Sequence, residues 1–261
     1  MKEVFKYTFA TIAEWRKFLY VVLIVSILTL LEPFPFIGIT VIVFEKLLYL
    51  SIGIFLIYIL KRSKDEKEYF ENLEKNGLGT FMFHFIPAAS GILLGLFLIG
   101  TFWTMFFVLI LQYTNSLFVL ASPHSFFAAI ASTSTLTQIL LGFYLIYLSF
   151  YSYVFLGKFG EALSKENFKE SFLAIMSSFI DFKYWIKTFN LKYFVIFIVW
   201  MVIIGVIYTI TSLAYILLIY PVVIQNPNFS LIIIPLLVAI TTILTYYTFF
   251  SAYFAYKTTG N

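Results

Sequence analysis

The sequence has no cysteine, only two histidines among its 261 residues, and few charges. The absence of cysteine excludes a disulfide framework and thiol chemistry, and it leaves the redox compartment open. His84 and His124 have no Cys, Asp or other His near them in sequence, so we predict no metal site. We also predict no cofactor, because the chain contains no recognisable nucleotide-binding or catalytic motif.

Charged residues make up 11% of the chain, and hydrophobic residues make up 62%. Soluble domains have about 25% and about 45–50% respectively, so a soluble fold could not cover this much apolar surface. Asp, Glu, Lys and Arg are absent between Asn76 and Gly157 and between Tyr193 and Tyr256. Each stretch is long enough for two crossings of about 20 residues. The sequence therefore predicts an all-α, polytopic membrane protein.

Turn residues divide the apolar stretches into six predicted transmembrane helices in three hairpins. The hairpins pair Phe18–Leu31 with Phe36–Leu60, Leu78–Gln112 with Ser125–Leu156, and Tyr193–Tyr220 with Ser230–Tyr256. We expect the first helix to be retained, since no small-residue cleavage site follows it. The expected organisation is a single integral membrane domain, 1–261, built from hairpin units of approximately 1–60, 61–157 and 158–261.

The positive charges lie on one side of this predicted topology. Of the 17 Lys and Arg residues, all except Lys46 lie before Phe18, in Lys61–Lys75, in Lys158–Lys192, or at Lys257. The positive-inside rule therefore predicts a cell-membrane protein with both termini cytoplasmic. The net charge of +4 indicates topology and contact with membrane lipids, not with nucleic acid. The sequence leaves open whether the chain binds a protein partner or forms a homo-oligomer.

Each predicted hairpin follows a stretch whose apolar residues recur at helical spacing. These residues are Phe5, Phe9 and Ile12; Phe70, Leu73, Gly77 and Phe81; and Phe168, Phe172, Ile175, Phe179 and Ile186. Lys and Glu occupy the opposite faces, a pattern typical of helices that lie along a membrane surface. We predict an amphipathic interfacial helix before each hairpin. The alternative is that these stretches are the wetted ends of transmembrane helices.

Three segments carry a resemblance to a known family. They are "EYFENLEKNGLGTFMFHFIPAA" from Glu68 to Ala89, the approach to the first helix with Phe5, Phe9 and Trp15, and "GKFGEALSKENFKESF" leading into "FKYWIKTFNLKYFVIF". The chain resembles mainly archaeal integral membrane proteins that form a domain family of unknown function. The resemblance implies a six-helix bundle, distantly like the membrane domain attached to some glycerophosphodiester phosphodiesterases. It implies no active site, because the catalytic domain of those enzymes is separate and has no counterpart here.

Two charges interrupt the apolar run "VIVFEKLLYL", which spans Val41 to Leu50. Intramembrane charges such as Glu45 and Lys46 cost about 2.5–3.5 kcal/mol each on insertion scales, so they are functional candidates. Glu45 is within reach of Tyr49 one turn later. We predict no salt bridge between Glu45 and Lys46, because adjacent helical residues point about 100° apart. Their role is either structural accommodation and oligomer contact, or part of a path for a solute, ion or lipid.

Polar residues elsewhere in the spans complete the candidate intramembrane polar site. Its members are Glu45, Lys46, Tyr49, His84, Ser132, Ser134 and Gln138. The serine and threonine run before Gln138 either lines a hydrated pocket or bonds to neighbouring helices and backbone carbonyls, and we favour the second. Gly91 and Gly95 form a Gly-x-x-x-Gly pattern, which predicts close helix packing.

Three classes of function remain. The first is a scaffold or partner subunit without a catalytic site, which docks another protein through the charged loop 61–75. The second is a component of a transporter, flippase or permease, for which a hydrated cavity reaching Glu45 would be the sign. The third is an enzyme acting on lipid, for which the sequence offers only isolated groups such as His124, Glu170 and Asp181. We favour the first and keep the second as the alternative.

Overall fold

The computed structural model describes residues 1–34, 37–121, 130–219, 221, 223 and 226–260, and this part of the chain contains no β-strand. Its α-helices are α1 (Lys2–Ala13), α2 (Trp15–Leu31), α3 (Gly38–Arg62), α4 (Glu66–Lys75), α5 (Leu78–Tyr113), α6 (Thr135–Leu163), α7 (Phe168–Met176), α8 (Phe182–Thr188), α9 (Leu191–Ala214) and α10 (Ser230–Lys257). Short 3₁₀ segments follow α5 and α7 and precede α10, and a π segment extends α9.

Within the described residues, five helices are long and apolar enough to cross a membrane. They are Gly38–Arg62, Phe83–Tyr113, Thr135–Leu163, Leu191–Leu217 and Leu231–Lys257. This pattern is typical of a multi-pass membrane protein. The predicted first span corresponds to α2, which has 17 residues and is shorter than these five. The predicted start of the fourth span, Ser125, lies outside the described residues, and α6 begins at Thr135.

Short helices occupy the three positions where the sequence predicted surface helices. α1 precedes α2, α4 precedes α5, and the pair α7 and α8 precedes α9. Each buries part of one face: Val4 and Tyr7 on α1, Tyr69 on α4, and Ile175 on α7 are nearly inaccessible. The Thr11 and Tyr69 hydroxyls share a hydrogen bond of 2.7 Å, which joins α1 to α4. These helices are therefore parts of the packed bundle.

Hydrogen bonds between the helix ends gather the lysine-rich segments at one end of the bundle. The Lys61 ammonium donates to the Ser164 carbonyl at 3.2 Å, which joins the ends of α3 and α6. The Asn190 amide donates to the Thr258 carbonyl at 3.4 Å, which joins the start of α9 to the end of α10. The Lys17 ammonium donates to the Leu73 carbonyl. We call this end of the bundle the basic end.

The hydrophobic core is concentrated in the half of the bundle nearest the basic end. On α3 the residues from Leu48 to Leu60 are almost all buried, whereas Ile39 is 78% exposed. On α10 Phe250 is fully buried, whereas Ile232 is 69% exposed. Large apolar side chains exposed on this scale are unfavourable in water and favourable in hydrocarbon. The opposite half is therefore suited to lipid as its solvent.

Glycines allow two close helix crossings. Gly91 and Gly95 on α5 face α7: a methyl group at Gly95 would lie 2.6 Å from Ile175 Cγ2, and one at Gly91 would meet the backbone of Phe168. The close packing predicted from the Gly-x-x-x-Gly pattern is confirmed, with α7 as the partner. Gly160 on α6 faces α10, where a methyl group would lie 2.7 Å from the backbone nitrogen of Tyr253.

Candidate functional site

Two carboxylates converge on a cavity in the half of the bundle away from the basic end. Glu45 on α3 is only 6% exposed, and Glu32, directly after α2, is half-buried. The cavity between α2, α3 and α10 measures about 230 Å³. It is lined by Val25, Thr29, Glu32, Glu45, Tyr49, Ile234, Leu237, Val238 and Thr241. Because liquid water occupies about 30 Å³ per molecule, the cavity has room for several waters or a small solute.

Backbone hydrogen bonds after α2 and at the start of α3 position Glu32 beside the cavity that Glu45 also lines. The Glu32 N–H donates to the Thr29 carbonyl at 3.4 Å, so the backbone stays close to α2 at this point. The Gly38 N–H then donates to the Phe34 carbonyl at 2.8 Å as α3 begins. A side chain at Gly38 would collide with the Glu32 carbonyl, so glycine permits this tight reversal.

The two carboxyl groups lie close enough to hydrogen bond to each other. A hydrogen bond between carboxyl groups requires one of them to be protonated, because two carboxylates have no donor. Burial raises the pKa of Glu32, the hydrogen bond and the charge of Glu45 raise it further, and the nearby Lys46 ammonium opposes this shift. Glu32 therefore retains a proton more readily than an exposed glutamate would.

Lys46 forms a salt bridge with Glu45, with 2.9 Å between Nζ and Oε1. The sequence-based prediction that these adjacent residues do not pair was wrong. The long lysine stem lets the ammonium fold back toward the neighbouring side chain, although the two Cβ atoms diverge. The Lys46 side chain stays 55% exposed, so this ammonium lies at the rim of the site.

The other polar groups at the cavity present oxygen atoms. The Tyr49 hydroxyl is bonded to Thr242 across the α3–α10 interface at 2.9 Å, and not to Glu45 as its spacing suggested. The hydroxyls of Thr29 and Thr241 donate to carbonyls one turn earlier in their own helices, so their lone pairs remain as acceptors. A cavity lined by carboxylate and hydroxyl oxygens suits a proton or a small cation.

The remaining predicted site residues lie elsewhere. His84 is exposed on α5 and packs edge-on against Phe85. Ser134 caps α6 by accepting from the Thr137 N–H at 3.3 Å, and Gln138 donates to two nearby carbonyls. Ser132 is exposed just before that helix. None of these four lines the cavity at Glu45, and His124 lies outside the described residues.

A second ionic cluster ties α8 to α6 near the basic end. Lys158 is only 4% exposed, and its ammonium lies 2.9 Å from Glu161 Oε2 and 2.9 Å from Asp181 Oδ2. It also lies 4.3 Å from the centre of the Tyr184 ring, within cation–π distance. The ammonium thus has partners on three sides, which offsets the cost of burying its charge.

Asp181 also begins α8, because its carboxylate accepts from the Tyr184 N–H at 2.9 Å. Burial by itself would raise the pKa of Asp181, but the hydrogen bonds from Lys158 and from the Tyr184 backbone outweigh it. The pKa is therefore held below its ordinary value. Burial raises the pKa of the Tyr184 phenol, which stays neutral. These groups form a structural junction with all charges paired.

Sequence reasoning missed Glu32 because this residue stands beside Pro33, in the short segment between the first two predicted spans. A signal was nevertheless present: between Phe18 and Leu60 the only charged residues are Glu32, Glu45 and Lys46. The cluster around Lys158 carried no such signal, since that lysine lies among many other charges in the sequence.

Comparisons with protein-family models, with curated proteins and with solved structures found no match. Among the described residues, no group of three or more His, Asp or Glu side chains is placed to hold a metal ion. The cavity itself offers two carboxylates and the surrounding hydroxyls.

Proposed function

We propose that this protein is a transporter component that binds a proton or a small monovalent cation at the Glu32–Glu45 cavity. The proposal rests on one observation. Glu32 and Glu45, which lie in the half of the bundle away from the basic end, both line the same cavity. Isolated charges in apolar surroundings cost several kcal/mol, so two carboxylates that line one cavity favour a role in binding.

The pair suggests exchange of a proton for a cation. When one proton is shared, the two carboxyl groups and Lys46 together carry no net charge, so the site is stable without a ligand. When that proton leaves, one negative charge remains uncompensated in low-dielectric surroundings, and a cation stabilises it. Binding of the cation and loss of the proton are thus thermodynamically linked, as in coupled transport.

The test uses the purified chain in vesicles loaded with a fluorescent pH indicator. We expect an imposed Na⁺ or K⁺ gradient to drive proton movement, and we expect Glu45→Gln and Glu32→Gln each to abolish it. Glu74→Gln is the matched control, because Glu74 is an exposed acid on α4 that does not line the cavity. Proton movement that is absent in the wild type, or equal in all variants, would refute the proposal.

We also propose six spans, with α2 as the first. Its 17 residues extend about 25 Å, and the turn that contains Glu32 adds length at one end. The gathering of lysines at the basic end supports a cytoplasmic position for that end and for both termini, in the cell membrane, by the positive-inside rule. We further propose that the chain consists of three hairpin units and that it is related to the archaeal family of unknown function.

The absence of native cysteine makes the topology simple to test. Single cysteines at Ser164, near the basic end, and at Asn115, in the turn after α5, are the two reporters. We expect a membrane-impermeant thiol reagent added to intact cells to label Asn115→Cys only. Labelling of Ser164→Cys from outside would show that the orientation is reversed.

A scaffold or partner subunit is the second candidate, favoured by the surface of α4. This helix buries Tyr69 and Leu73, whereas its acidic and basic side chains point to solvent. Such a face is suited to a partner of complementary charge. Co-purification of a stoichiometric protein that is lost when Lys67 and Glu71 are both reversed in charge would support this function. Retention of that protein by the reversed variant would exclude α4 as the docking surface.

A further inference from the structure

A groove at the basic end combines exposed cations with an apolar wall. It lies between the starts of α1 and α9 and the end of α10, and its volume is about 720 Å³. Its lining residues include Lys192 and Lys257 at the rim, and Leu191, Val195, Ile196 and Phe254 along the wall. This groove is separate from the carboxylate cavity, and the two share no lining residue.

The two lysines come from different helices and face the same space. Both are exposed, and among the described residues neither ammonium forms a salt bridge. The Lys257 ammonium lies 5.5 Å from the centre of the Tyr253 ring, within cation–π distance. Among the described residues that line the groove, Glu3 is the one acidic side chain beside these two lysines, so a positive charge remains in excess. An anion placed between the lysines would be bound from two sides.

The apolar wall continues from the groove along α9. Leu191, Val195, Ile198 and Val202 are 77%, 41%, 39% and 56% exposed, and their spacing places them on one face of the helix. From Leu191 to Val202 the helix rises about 16 Å at 1.5 Å per residue. This matches half of the roughly 30 Å hydrocarbon core of a bilayer. The stripe therefore has the length of one lipid acyl chain.

We propose that this groove binds an anionic glycerophospholipid, with its phosphate between Lys192 and Lys257 and an acyl chain along the exposed face of α9. Two features select this occupant: the excess positive charge selects an anionic headgroup, and the adjoining stripe selects a long chain. A soluble anion would use only the lysines, and a zwitterionic lipid would gain less from them. The proposal does not depend on the function of the carboxylate cavity.

Native mass spectrometry of the purified full-length chain tests this site. The probes are dioleoyl phosphatidylglycerol and dioleoyl phosphatidylcholine, which have the same acyl chains and differ in headgroup charge. We expect the wild type to bind one phosphatidylglycerol more tightly than phosphatidylcholine. In Lys192→Gln/Lys257→Gln we expect the affinity for phosphatidylglycerol to fall about 25-fold, from roughly fivefold for each basic residue near a lipid surface.

The matched control is Lys64→Gln/Lys67→Gln, which removes two exposed lysines from the segment around α4. It should change the affinity for phosphatidylglycerol by less than twofold. Because all four lysines are exposed, both variants should unfold at the wild-type temperature. Equal binding of the two lipids, an unchanged affinity in the groove variant, or an equal loss in the control would each overturn the proposal. Binding of soluble glycerol phosphate as tight as that of phosphatidylglycerol would also overturn it, since the stripe on α9 would then contribute nothing.

Discussion

Two glycines on the same helix should respond oppositely to the same substitution. On α6, a methyl group at Gly160 would collide with the backbone of Ala252 and lie 2.7 Å from the Tyr253 nitrogen. A methyl group at Gly142, further from the basic end, would have no atom within 4 Å. The backbone of α10 cannot rotate away as a side chain would, so α6 and α10 must separate in Gly160→Ala.

The expected magnitudes follow from packing and helix propensity. Overpacking typically costs 1–3 kcal/mol, and an unyielding backbone contact places Gly160→Ala at about 3 kcal/mol. Gly142→Ala should gain about 0.5–1 kcal/mol, because alanine loses less conformational freedom in a helix. The two variants should therefore differ by about 4 kcal/mol in free energy of unfolding, or roughly 8–16 °C in unfolding temperature.

Thermal unfolding of both variants in the same detergent, followed by circular dichroism, measures this difference. Alanine is the smallest possible addition, so the comparison isolates the close approach of α6 and α10. If Gly160→Ala is as stable as the wild type, or if both variants shift equally, the packing of α6 on α10 described above is incorrect.

The ionic cluster near the basic end yields two further predictions. Lys158→Met keeps the side-chain volume but leaves Glu161 and Asp181 without their buried partner, so the free energy of unfolding should fall by about 3 kcal/mol. A fall of less than about 1 kcal/mol would mean that the cluster is dispensable. Because the pKa of Asp181 is lowered in the folded state, its contribution to stability is present above the ordinary pKa of about 4 and is lost as the pH falls through the folded value. Wild-type unfolding temperature should therefore fall more steeply below pH 4 than that of Asp181→Asn, and parallel curves for the two proteins would contradict this assignment.

The glutamate pair illustrates where prediction from sequence fails. Glu45 was identified because two adjacent charges, Glu45 and Lys46, stand out locally in an apolar run. Its partnership with Glu32 was not, because that depends on how the turn through Pro33 and Gly38 brings two helices together. The direction taken by the Lys46 side chain was also mispredicted, since helical geometry fixes Cβ positions and not the end of a long flexible stem.

The three segments that were predicted as interfacial helices also show what local sequence does and does not reveal. Their helical periodicity was visible in the sequence, and helices are present at all three positions. What they pack against was not visible: α7 lies against Gly91 and Gly95 in α5, and Lys158 secures α8 through Asp181. Such contacts join residues that are distant in the chain, and local patterns carry no information about them.

The sequence by itself determined the helical class, the apolar character of the spans and the segments that carry lysine and arginine. These properties are sums over neighbouring residues, because each side chain prefers water or hydrocarbon largely independently of the fold. Only the tertiary structure decided which charges meet, where cavities remain and which end of the bundle is tightly packed. Those outcomes depend on distances between separate helices, and a one-dimensional pattern does not contain them.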